Sequence, residues 1–193
     1  MLRFNLLVII ILSVIYATYF LVTNISKRRS LLETVKSLVT FVYIMFVLKY
    51  TLFPIIGFDS LANELRNEIG FTRFNWIPLY SLYKDIKSAS TYTVLRGILM
   101  QTILNICLSI PFGFLIKLFY NKATTIISKI WYALGFGLCI ESLQLIISIL
   151  IGYTYRVIDI DDIIFNAIGV FVGYFLYKIY SFVSDRLNTS LNQ

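Results

Sequence analysis

Residues 126–151, IISKIWYALGFGLCIESLQLIISILI, and residues 161–182, DDIIFNAIGVFVGYFLYKIYSF, are two apolar runs joined by the short link GYTYRVIDI at 152–160. A helix needs about 20 mainly apolar residues to cross the hydrocarbon core of a bilayer, and each run is long enough. Their polar residues are ordered. Glu141 and Gln144 are three apart and share a helix face. Asp159, Asp162, Asn166, Gly169 and Gly173 follow at spacings of three, four, three and four, which also places them on one face. The stretch therefore predicts two spanning helices with polar stripes.

Working outward, three further runs qualify as spans, at roughly 4–23, 36–57 and 95–119. The predicted fold is all-α: a polytopic transmembrane bundle of about five spanning helices, plus a short interfacial helix in an outer loop. Composition agrees. The chain is 59% hydrophobic and 14% charged, with a mean hydropathy of +0.81, whereas soluble domains carry about 25% charged residues. The net charge of +7 does not suggest nucleic acid, because no basic, aromatic-interleaved soluble face exists. The cations flank apolar stretches instead, where they orient helices against an anionic leaflet. There is no histidine, so histidine-based triads, bases and metal ligands are excluded. Cys107 and Cys139 fall inside apolar segments and are expected to be buried free thiols. The first run exceeds a signal-peptide core of about 7–15 residues and no A-x-A-like site follows it, so a retained helix is expected.

The long loop at 58–94 opens with Asp59-Ser60, good N-cap residues. Leu61, Leu65 and Ile69 then recur every fourth residue among polar neighbours, and Gly70 follows. This predicts a short amphipathic helix, too polar to span. The next piece, 71–80, carries Trp76 and Tyr80, which favour the headgroup region, and is expected to lie on the membrane or dip into it. The cluster Lys27-Arg28-Arg29 favours N-terminus out and C-terminus in. The expected organisation is an N-terminal transmembrane helix and basic loop at 1–30, a membrane domain at 31–182 and a polar tail at 183–193.

With that orientation, the polar groups collect at the outer membrane face. Carboxylates at a helix N-terminus suit the macrodipole and cap free N–H groups. Asp161, rotated off the stripe, is expected to be a solvated cap. A glutamate inside a membrane helix costs on the order of 2–3 kcal/mol or more and marks a site or has a cation partner. Arg156 is the nearest cation in sequence, and a Glu141–Arg156 pair is the structural alternative. Asn105 is expensive in lipid and is expected to face inward. Pro111 frees backbone groups that neighbours must satisfy, while Lys49 is expected to snorkel. The candidate ligand-binding set is Glu141, Gln144, Arg156, Asp159, Asp162, Asn166, Asn75 and Asn105. Gly169, Gly173, Pro111 and Gly113 are candidates for helix packing. A cleft of this composition could hold a polar headgroup or a peptide, or perform acid–base chemistry.

Together, Glu141-xx-Gln144 and Arg156-xx-Asp159-xx-Asp162-xxx-Asn166-xx-Gly169-xxx-Gly173 resemble the VanZ-like membrane proteins. Phe53-Pro54, Asn75-xx-Pro78 and Asn105 with Pro111-Phe112-Gly113 fit the same pattern, which extends from about residue 50 to 177. The first helix is outside it. The resemblance implies a small helical membrane domain at the bacterial cell envelope and a contribution to glycopeptide (teicoplanin) resistance. It supplies no reaction. The leading expectation is a protein that binds a lipid-linked cell-wall precursor or lipoglycopeptide ligand at the outer leaflet, with membrane lipid as its other partner. The alternative is a membrane-embedded enzyme using Glu141, Asp159 and Asp162 as acid and base, or holding Mg²⁺ with its oxygen ligands. A small transporter ranks lower, and a bundle subunit without chemistry remains open. No cofactor is expected.

Overall fold

The computed structural model describes residues 6–26, 30–55, 60–68, 74–122 and 124–191. Within them run α1 (Leu6–Ser26), α2 (Leu31–Leu52), α3 (Ser60–Glu68), β1 (Phe74–Asn75), α4 (Tyr80–Ser88), α5 (Tyr92–Tyr120), α6 (Ile126–Ile151), β2 (Ile158–Asp159) and α7 (Ile160–Leu191). Five helices, α1, α2, α5, α6 and α7, are long and apolar enough to cross a membrane. The Lys27-Arg28-Arg29 cluster, Asp59 and residues 69–73 lie outside the described residues.

The described residues divide into two compact units. The first holds α1, α2, α3 and residues 147–155. No residue of the span Leu6–Thr23 is buried. Leu6, Ile10, Ile15 and Val22 are all exposed, an arrangement that water would penalise at about 25 cal/mol per Å² and lipid does not. The Tyr16 ring stacks on Phe41 at 4.1 Å, and the Tyr16 hydroxyl donates to Ser37 Oγ at 3.0 Å. These contacts tie α1 to α2. Helix α2 starts at Leu31 rather than near 36 because Ser30 and Glu33 form a capping box. Lys49, in its last turn, sits 5.1 Å over the Tyr50 ring.

The C-terminal end of α6 is closed within the same unit. Gly152 adopts φ +86°, the left-handed conformation that ends helices, and its N–H donates to the Ser148 carbonyl at 2.9 Å. Arg66 of α3 donates from Nε to the Ile151 carbonyl at 2.6 Å. A cation on an otherwise orphaned terminal carbonyl suits the negative end of the helix dipole.

The second unit holds β1, α4, α5, residues 126–146 of α6, β2 and α7. Helix α5 packs along α7 in parallel. Asn105 meets Asp162 and Ser109 meets Asn166, each pair 57 residues apart in sequence. The approach is close because of glycine. A Cβ on Gly169 would collide with the Ile106 carbonyl, one on Gly173 with the Ile110 carbonyl, and one on Gly113 with the Val170 carbonyl. Pro111 lies inside α5, which continues through it to Tyr120. Ala133, Ala167, Val170 and Tyr174 form the core, with Phe112 and Phe136 packed against it.

The structure adds to or changes four expectations from the sequence. Residues 80–88, read as loop, form α4. Residues 74–75, expected on the membrane, pair in parallel with 158–159. Cys107 and Cys139 are exposed: with lipid as solvent, a thiol can face outward as cheaply as inward. The segment 183–191, read as a polar tail, continues α7.

Candidate functional site

The site is built around the first turn of α7. The β1–β2 pair sets its edge, with Phe74 opposite Ile158 and Asn75 opposite Asp159. Asn75 Nδ2 donates to Asp159 Oδ1 at 2.7 Å, and the same oxygen accepts the Asp161 N–H at 2.9 Å. The Asp159 N–H in turn donates to Glu141 Oε2 at 3.1 Å. A loop, α6 and the start of α7 are thus joined through Asp159, a residue 9% exposed.

One turn deeper, Asn105 Nδ2 donates to Asp162 Oδ1 at 2.6 Å. Another turn in, the Ser109 hydroxyl lies 2.8 Å from the Asn105 carbonyl and 2.6 Å from Asn166 Oδ1. A hydroxyl carries one proton. Turning the Asn166 amide so that Nδ2 donates to Ser109 Oγ leaves that proton for the Asn105 carbonyl, and the ladder closes. Ser109 and Asn166 are 0% and 3% exposed, so an unmet group here would be costly.

Among the predicted residues, the structure brings together Asn75, Asn105, Glu141, Asp159 and Asp162. Asn166 extends the ladder inward. Gln144, on the Glu141 face, is buried too. Arg156 is half-buried and within electrostatic range of Glu141 and Asp162. Glu141 Oε2 is held by backbone rather than exposed, and Glu141 Oε1 is buried with no hydrogen-bond partner among the described residues.

Asp161 is not the solvated cap that its rotation off the stripe suggested. It is 3% exposed. Its carboxylate accepts the N–H groups of Leu79 and of Leu82, the latter at 3.2 Å. Asp161 therefore caps α4, a helix missing from the sequence reading. Leu79 has a left-handed backbone, φ 62°, which costs a non-glycine residue of order 1–3 kcal/mol. The Asp161 carboxylate is the visible compensation. Ser109 was also missed. Its signal, a hydroxyl four residues after Asn105 and two before Pro111, is a common one in apolar runs.

Among the described residues, no group of three or more carboxylates or cysteines is arranged to hold a metal ion. Asp159 Oδ1 accepts from the Asn75 amide and the Asp161 N–H, and Asp162 Oδ1 accepts from the Asn105 amide.

The VanZ/LLP1 family model matches residues 39–181. The chain belongs to the VanZ/LLP1 family. The VanZ/LLP1 region begins within α2 and ends within α7, so it takes in every residue of the cluster and omits α1. With its five apolar helices, this VanZ/LLP1 chain is a multi-pass membrane protein. Comparison with curated proteins and with solved structures finds no match.

Proposed function

We propose that the polar cluster at the start of α7 binds the headgroup of a lipid-linked cell-wall precursor or a lipoglycopeptide at the outer membrane face. The observation that carries this reading is Glu141 Oε1, a buried carboxylate oxygen with no partner among the described residues, in a cluster where Asp159 and Asp162 accept through Oδ1 from Asn75 and Asn105, respectively. A buried acceptor of this kind needs a donor. Amines, amide N–H groups and sugar hydroxyls supply donors, and the peptide or sugar head of a lipid-anchored ligand presents them while its tail stays in lipid. An outward orientation of the acidic end is supported by the lysines at the other end of the same helices, Lys117, Lys129 and Lys178, which favour the cytoplasmic side.

The test is susceptibility on expression and on deletion. Expression should protect against lipidated glycopeptides such as teicoplanin more than against non-lipidated ones, and Glu141→Gln should abolish the difference. Equal protection against both classes, or none, sinks the proposal. A second reading, a membrane-embedded enzyme, has the same unpartnered oxygen in its favour, since a general base needs a carboxylate oxygen not already committed. Asp162→Asn separates the two. In an enzyme, ligand binding persists while turnover stops.

A further inference from the structure

A second concavity lies at the opposite end of the same unit. It has a volume of about 350 Å³ and is lined by Lys117 of α5, Lys129 of α6, and Tyr174, Lys178, Ser181 and Asp185 of α7. At 1.5 Å rise per residue, Lys178 lies about 25 Å along α7 from Asp161, so the two sites are separate.

Lysines at membrane helix ends usually snorkel one by one into the headgroup layer. Here three of them, each from a different helix, line one hollow, against a single carboxylate from Asp185. A second observation points to a ligand. Tyr174, in the wall of this hollow, is 7% exposed, and its hydroxyl has no hydrogen-bond partner among the described residues. A buried phenol O–H in want of an acceptor, in a hollow that three lysines line, matches a phosphate oxygen.

We propose that this pocket is an anion site that takes a phosphate-bearing group, either the headgroup of an anionic phospholipid or free phosphate. The lysines supply charge, and the Tyr174 and Ser181 hydroxyls supply directed donors. The acidic cluster is not involved, so this site stands or falls independently of the ligand proposed there.

The experiment uses the full-length chain in nanodiscs of phosphatidylcholine with a minor fraction of phosphatidylglycerol, with retained lipid read by native mass spectrometry. Phosphatidylglycerol should be enriched over phosphatidylcholine. Each of Lys117→Gln, Lys129→Gln and Lys178→Gln should lower that enrichment roughly five-fold, and Tyr174→Phe should lower it about ten-fold. Lys178→Arg keeps the charge and should keep the enrichment, which separates loss of the site from loss of the fold. A control triple variant, Lys36→Gln, Lys49→Gln and Lys84→Gln, removes three charges elsewhere, more than any single pocket variant, and should leave enrichment intact. In detergent, competition by inorganic phosphate identifies free phosphate as a ligand, and its failure assigns the site to the lipid. Equal retention of both lipids with no phosphate binding overturns the proposal. So does a control variant that loses as much as the pocket variants.

Discussion

At the scale of single residues, the cluster joins side chains from β1, α5, α6, β2 and α7. Asp161 shows how local a reading from sequence must be. Its rotation off the polar stripe was legible, and solvent was the natural inference. Its use as the cap of α4 was not, although Leu79, Leu82, Tyr83 and Ile86 recur at helical spacing, because a cap supplied from a helix 79 to 82 residues away leaves no local signal. Removing an N-terminal cap costs about 1 kcal/mol, up to about 2. Asp161→Ala should therefore lower stability by that amount in a detergent-unfolding titration, and Asp161→Asn, which keeps one acceptor, by less. Equal stability of all three proteins would refute the capping role. The Ser109–Asn166 contact gives a second expectation. Interhelical hydrogen bonds in membranes contribute roughly 0.5–2 kcal/mol, so a double-mutant cycle on Ser109→Ala and Asn166→Ala should return a coupling in that range. A coupling of zero would mean that the two side chains do not meet.

Among the elements, apolar length was easy to read and short pairings were not. Helix α6 occupies 126–151, as its apolar run indicates, because nothing in that run competes with a helix. The start of α2 was placed about five residues late, although Ser30 and Glu33 already spell a capping box. The β1–β2 pair spans two residues on each side and joins segments over 80 positions apart, with no periodicity to reveal it. The candidate residues on α5, α6 and α7 were legible because a polar side chain in lipid is expensive. What held each one was not. Glycine gives a sharp test here. A methyl group at Gly113, Gly169 or Gly173 meets backbone of the facing helix, whereas at Gly97 or Gly135 nothing lies within 4 Å. Alanine at the first three positions should destabilise by about 1–3 kcal/mol or more, and at the last two it should be neutral or stabilising. Thermal unfolding in detergent distinguishes the groups, and a uniform response would count against the close approach of α5 to α7.

For the molecule as a whole, five candidate spans are an odd number, so the two ends of the chain are expected on opposite sides of the membrane. Reporter fusions at the N- and C-terminus should give opposite signals, with the C-terminus cytoplasmic under the proposed orientation. Like signals would remove a span. The constant offset of 57 residues between α5 and α7 also bears on biogenesis. At about 5–20 residues per second, the ribosome needs roughly 3–11 seconds to make that stretch. Asn105 and Ser109 enter the membrane first and wait that long for Asp162 and Asn166. A nascent chain arrested before α7 presents the unmet Asn105 amide to lipid, so it should be a substrate for membrane quality-control proteases, while the completed protein is spared.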